Sequence, residues 1–199
     1  MNPTLNTIKN RRSIRKYIDK KISEKTIKEL VEAAKLAPSS HNAQPWNFTI
    51  INNKKGVKEL SDNIKAWFSN KIKLGKLIAW AVPPVKKQID AVSNRILTDK
   101  DLIFYEAPLV VLIHAKKGKF TLQDCSCAAQ NMMLAARSLE IGSCWIGYSD
   151  MALNSSNKIK ESLNIPKENV VMASLVFGYP LKFPDNALPR KDNSVEFVK

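Results

Sequence analysis

LAPSSHNAQPWNF, residues 36–48, decides how the chain is read. Pro38 has no backbone donor and pushes Ala37 out of helical angles, so a helix running up to it must stop. Pro45 places the same restriction on Gln44. Between the prolines stand Ser39, Ser40, His41, Asn42, Ala43 and Gln44, all polar but Ala43, and serines turn the backbone readily. Trp46-Asn47-Phe48-Thr49-Ile50-Ile51 follows, rich in aromatic and β-branched side chains, which predicts a strand. A polar loop pinned between a helix end and a strand start holds donors and acceptors rigidly. A flat ligand with polar edges would suit it. An ordinary solvated connection would have the same spacing.

Upstream, residues 4–10 read as a short helix, followed by Arg11-Arg12-Ser13-Ile14-Arg15-Lys16-Tyr17. Guanidinium groups bind phosphate in a bidentate manner that lysine cannot match. A solvated basic turn is the plainer reading of the same residues. Ser23 is placed to cap a helix whose Ile27, Leu30, Val31, Ala34 and Leu36 recur near helical spacing up to Ala37.

Downstream, Asn52, Asn53 and Gly56 mark a turn. Residues 57–82 then predict a helix carrying Trp67, Phe68 and Trp80, Pro83-Pro84 breaks it, and 86–97 resumes one. Aromatics at helical spacing are core residues first, and no catalytic role is assigned there. Residues 107–115, APLVVLIHA, predict a buried central strand with His114 as a structural histidine. Thr121, with Asp124 as a box-like partner, caps a helix over 122–139 that is apolar on most faces and so central. Gly142 stands where a left-handed helix cap belongs. Gly147, in Ser143-Cys144-Trp145-Ile146-Gly147-Tyr148, allows close backbone approach to a flat ligand. Asn154 is read as the cap of a helix through Leu163, and Pro166 ends that unit. Residues 170–176 form a second apolar strand, and 195–198 a short edge strand.

A length of 199 residues suits one domain, with a helical lobe over roughly residues 57–100. No apolar run approaches the roughly 18 residues of a membrane helix. The start, MNPTLNTIKNRRS, lacks a signal-like apolar core, so a cytoplasmic protein is expected. The net charge of +14 invites a nucleic-acid reading. Yet the lysines are spread along the chain and aromatics are not interleaved with them as stacking platforms, so a solvated basic surface is expected. Cys125, Cys127 and Cys144 cannot all pair, and Cys125 and Cys127 point to different helix faces, so reduced thiols without zinc are expected. There is no GxGxxG, GxSxG or HExxH. Such a chain fits an enzyme whose organic cofactor carries the reaction.

The string APSSHNAQPWNF closely resembles the APSS-x-N-x-QPW-x-F signature of the FMN-dependent nitroreductase family. Arg11–Tyr17, the run AAQNMMLAARSLEIGSCWIG at 128–147, and Phe177-Gly178-Tyr179-Pro180 followed by Pro189-Arg190-Lys191 resemble further family motifs, in the family's order. The segment 53–102 has no clear counterpart. The resemblance implies an α+β fold, a mostly antiparallel sheet flanked by helices, with FMN at a homodimer interface. It implies that Arg11, Arg12, Ser13, Arg15, Arg190 and Lys191 of one subunit hold the flavin's polar edge and phosphate. It assigns Pro38, Ser39, Ser40 and Asn42 to the neighbour's flavin, and Trp145, Ile146 and Gly147 to backbone contact with the ring. NADH or NADPH would deliver hydride. A nitroaromatic, quinone or similar small molecule would accept it, and no acid–base residue, nucleic acid or membrane is called for. The family also contains flavin reductases, iodotyrosine dehalogenases and an oxygen-dependent enzyme that fragments its flavin. An FMN-binding or basic nucleic-acid-binding protein without turnover is the alternative.

Overall fold

The run Leu109-Val110-Val111-Leu112-Ile113 is apolar on both faces of a strand, so it needs cover on both sides. A computed structural model describes residues 2–79, 83–96, 98–184, 187–191 and 195–198 and supplies that cover. Residues 80–82 and 97, which the sequence places in or beside helices, lie outside the described residues.

The sheet comprises β1 (Asn47–Ile51), β2 (Leu109–Lys116), β3 (Gly142–Trp145) and β4 (Asn169–Gly178). The strand order is β1-β2-β4-β3, and every pairing is antiparallel. Leu109, Val111, Ile113, Ala173, Leu175 and Phe177 face α2 (Glu24–Lys35) and α5 (Thr121–Ser138), meeting Leu30, Ala128, Ala129 and Met132. Val110, Leu112, Val171 and Val176 face α3 (Lys54–Ala79), α6 (Gly147–Ser155) and α7 (Asn157–Ser162), meeting Leu60, Ile64, Phe68, Leu153 and Ile159. Besides these, α1 (Pro3–Asn10) lies against α5, and α4 (Pro83–Ile96) packs on α3. The α+β architecture read from the sequence is the one found.

A register shift between Ile113 and His114 leaves Met172 as an extra residue on β4. His114 then sits between Thr49 Oγ1, 3.1 Å from Nε2, and Asn169 Nδ2, 2.8 Å from Nδ1. Burial lowers its pKa, which favours the neutral ring. It is the structural histidine the sequence suggested.

Several local readings change. Gly142 is not a helix cap but the first residue of β3. The left-handed position after α5 is Glu140, at φ 56°, and the Ile141 N–H closes the turn on Ala136 O at 2.8 Å. Thr121 does not cap α5; the N-cap position is Phe120, without a side-chain bond. Ser156 rather than Asn154 caps α7. Asn154 instead clamps Val171, accepting its N–H at 2.8 Å and donating to its carbonyl at 2.7 Å. Residues 195–198 are exposed and form no strand.

The chain between α1 and α2 crosses the end of the sheet as an arm. Its Ile14 N–H donates to Ser143 O, and its Ile18 N–H donates to Tyr179 O, each at 2.9 Å. Gly142 and Gly178 are opposed in register directly beneath it. A Cβ at Gly142 would lie 2.8 Å from Ile14 Cβ, and one at Gly178 would lie 2.6 Å from the Tyr17 ring. Neither space exists, so only glycines let the arm lie this close. We expect Gly142→Ala to cost about 1–3 kcal/mol through overpacking and to lift the arm. Hydrogen exchange should then show faster exchange at Ile14, while amides of β2 keep their protection relative to the variant's own global stability. Unchanged relative protection at Ile14 would disprove the contact's role.

Candidate functional site

The arm carries the first set of polar groups. Arg11 is the C-cap of α1, where the backbone turns extended. Arg12 Nη1 donates to Lys9 O at 2.6 Å and to Arg11 O at 2.7 Å, satisfying carbonyls freed at the helix end. Its Nε is buried without a hydrogen-bond partner. Burial lowers the Arg11 pKa, and the charges of Arg12 and Arg190 lower it further. The tail arginine therefore comes back to the N-terminal pair, which nothing in the sequence pattern indicates. Among the described residues no carboxylate forms a salt bridge with Arg11, Arg12 or Arg190. Like charges gathered this way, one with an unused buried donor, favour an anion in their midst.

Ser13 and Arg15 act around the next group inward. Burial pushes the Cys144 thiol pKa up, while Arg15, the Ser13 hydroxyl and Arg11 draw it down. The arm thus lies over Cys144, next to Trp145. Arg15 also stands over the Tyr105 ring, 5.8 Å from its centroid. It lines a cleft of about 680 Å³ between the arm, the start of α3 and residues 99–108. Lys191 is exposed.

The second set is the strip where β3 meets α6. The Ile146 N–H donates to Ser174 O at 2.8 Å, holding the strip to the edge of the sheet. A Cβ placed on Gly147 would meet nothing within 4 Å, so the backbone there faces open space. Trp145 Nε1 donates to Asp150 Oδ2 at 2.9 Å. Nothing in the sequence marks Asp150, because a Trp and an Asp five positions apart across a strand–helix junction form no recognisable pattern.

The third set is the loop between Pro38 and Pro45. Ser40–Asn42 form a single 3₁₀ turn. His41, Asn42 and Gln44 take left-handed angles, with φ of 52°, 54° and 43°. Only asparagine visits that region at all readily, so the loop is strained. Hydrogen bonds hold it: the Gln44 N–H donates to Ser39 Oγ at 3.0 Å, and Gln44 Nε2 donates to Asn42 Oδ1 at 3.0 Å. The Ser40 N–H donates at 3.1 Å to Asp124 Oδ1, buried in the first turn of α5. Asp124, expected as part of a helix cap, instead braces this loop. Pro38 and Asn42 are exposed, and Ser39 and Ser40 half-buried.

These sets are not all together. The loop leaves from the N-terminal turn of α5, at Asp124, and the arm lies beyond its other end, where Ile141 closes on Ala136. Twelve residues of helix separate those points, about 18 Å at the α-helical rise. One chain gathers Arg11, Arg12, Ser13, Arg15 and Arg190 beside the Trp145–Gly147 strip. It leaves Pro38, Ser39, Ser40 and Asn42 apart.

The sequence profile of the Nitroreductase family matches residues 8–179. The chain belongs to this family. A provisionally named NADH dehydrogenase/NAD(P)H nitroreductase of Archaeoglobus fulgidus is 32% identical over 184 residues, covering 90% of this chain and 87% of that protein. An FMN reductase (NADPH) of Bacillus subtilis is 27% identical, covering 90% and 67% respectively. Among solved structures, a nitroreductase with bound FMN from Bacteroides fragilis superposes with a TM-score of 0.78 at 29% identity, covering both chains fully. In this nitroreductase-family chain, Arg190 and Lys191 lie beyond the matched stretch.

Asp124→Ala should leave the Ser40 N–H without its partner and cost about 1–3 kcal/mol. Urea unfolding should show a lower midpoint, and the 39–44 amides should exchange faster than those of β4. Asp124→Asn, which keeps the acceptor oxygen, should recover most of the loss. No recovery would mean that Asp124 acts through its charge rather than this bond.

Proposed function

We propose that the protein is an FMN-dependent oxidoreductase that takes hydride from NADH or NADPH and passes it to a nitroaromatic, quinone or similar acceptor. One observation carries this reading: Arg11, Arg12 and Arg190 gather with no salt-bridging carboxylate among the described residues, with the Arg12 Nε unused, beside a strip whose Gly147 faces open space. A planar group with a phosphate tail fits that arrangement. The family match and the FMN-bound structure from Bacteroides fragilis support the same cofactor. The Archaeoglobus and Bacillus relatives' names support a nicotinamide donor.

FMN, when bound, supplies the hydride chemistry. The chain's part is to bind, orient and exclude. Arg11, Arg12, Arg190 and Lys191 would hold the phosphate by charge-assisted hydrogen bonds. Ser13 and Arg15 would serve the polar edge. Ile146 and Gly147 would cover one ring face with backbone, leaving the other for donor and acceptor in turn. Near-contact between two planar groups supplies much of the acceleration such a transfer needs.

Pro38, Ser39, Ser40 and Asn42 would reach a flavin held by a second copy, since their own chain's arm lies past the far end of α5. That separation supports a homodimer. Leu36, Leu188 and Phe197 stand 82%, 79% and 84% exposed, apolar surface of the kind a second copy would cover.

The deciding test is anaerobic. The purified protein should be yellow, bleach with NADH or NADPH, and regain its colour with a nitroaromatic or quinone. A colourless protein that cannot be loaded with FMN ends the proposal. With one open face, initial-rate plots at several acceptor concentrations should be parallel, and intersecting lines would point instead to a ternary complex. The protein should elute near twice 22.4 kDa, and a yellow monomer would remove the loop from the site. Removing one charged hydrogen bond costs about 1.5–3 kcal/mol, or about 10- to 150-fold in affinity. Arg190→Ala with Lys191→Ala should therefore weaken FMN by at least that factor and leave riboflavin, which has no phosphate, nearly unchanged. Equal losses for the two flavins would take the tail out of the phosphate site.

A further inference from the structure

Asp150 stands in the first turn of α6, just past the strip, and its carboxyl turns inward. Oδ2 takes the Trp145 indole N–H, while Oδ1 is buried without a hydrogen-bond partner. Behind the strip, on β4, the Ser174 side chain is fully buried, and its hydroxyl is unpartnered as well. The Ser174 hydroxyl and backbone lie close enough to favour the charged carboxylate, although the two side-chain oxygens make no hydrogen bond of normal geometry. Ser174 from β4 and Trp145 from β3 are the groups that face this carboxyl. Among the described residues no salt bridge reaches it. Burial dominates and raises its pKa to about 6, against the pull of Ser174 and Trp145.

A brace for an indole needs only an acceptor oxygen, and asparagine would serve. A carboxyl held here with no salt bridge among the described residues does more than brace. Ser174 also carries the carbonyl that fixes Ile146, so the carboxyl, Trp145 and the strip are joined through one point on β4.

We propose that Asp150 is a positioning residue for the flavin: it grips Trp145, thereby fixes the Trp145–Gly147 strip, and sets a negative charge behind the ring that makes the flavin harder to reduce. This rests on the FMN reading above. The sign follows from Coulomb's law, since electrons added to the ring are repelled by a carboxylate behind it. The carboxyl is neutral below its own pKa and charged above it, so the effect must grow as pH rises through about 6.

Two measurements test it, both on the full chain. The first follows the indole N–H signals of the four tryptophans by nitrogen-15 NMR from pH 4.5 to 8, with Trp145 identified through Trp145→Phe. The Trp145 signal should move with a midpoint near 6 and stay still in Asp150→Asn, which keeps the acceptor. A pH-independent wild-type signal would overturn the placing of a titrating carboxyl against Trp145, whether or not FMN binds. The second compares the reduction potential of bound FMN in wild type and Asp150→Asn. The variant should be more positive at pH 8, and the two should converge at pH 5. A constant offset, or none, would overturn the electrostatic role. A protein that takes up no FMN would end the cofactor reading and the flavin half of this proposal together, with the indole titration still judging the Asp150–Trp145 contact by itself.

Discussion

The arm can reach its place only because two side chains are missing beneath it. Gly142 and Gly178 face each other across β3 and β4, and Ile14 and Tyr17 fill the volume their Cβ atoms would occupy. That close contact fixes the height of the arm, and with it the positions of Arg11, Arg12, Ser13 and Arg15. Packing at interior density leaves no slack for such a contact to be approximate. The polar chemistry of the site thus hangs on an apolar fit, made between residues that carry no chemistry themselves.

Around that fit, electrostatics are arranged unusually. Surface cations normally find carboxylates, as Lys54 does with Asp19 and Lys58 with Asp62. Arg11, Arg12 and Arg190 do the opposite, gathering with one another. A folded chain accepts such repulsion where something else offsets it, and here the contacts of the arm do so. The same logic holds for Asp150, a largely buried carboxyl that no salt bridge reaches among the described residues. Both departures lie beside the Trp145–Gly147 strip, and strongly perturbed groups cluster at functional sites.

Much of this was legible in the residues, and the limits have physical causes. The apolar run at 107–115 announced a central strand and that at 170–176 a second strand because both faces are buried, and Pro38 and Pro45 bracketed the loop because proline's constraints are local. The meeting of Arg190 with Arg11 was implied only by the family resemblance, since a chain reversal over nearly the whole length leaves no periodic trace. Gly142 misled because a glycine after a helix is more often a cap than a packing gap. In its place Glu140 took the left-handed angle, held by the helix-closing bond to Ala136. Thr121 and Asp124 had the spacing of a capping box, yet Asp124 turned to Ser40, a partner 84 positions away.

The loop at Ser39–Gln44 has one more implication. Its left-handed residues are held by bonds within the loop and a single anchor on α5, all present before any ligand arrives. Its strain is therefore borne by the folded chain and not by a complex. A partner docking against it finds donors already aimed and surrenders little freedom in ordering them. The penalty for that readiness falls on the resting stability of the protein, where it lowers the unfolding free energy of every molecule, occupied or not.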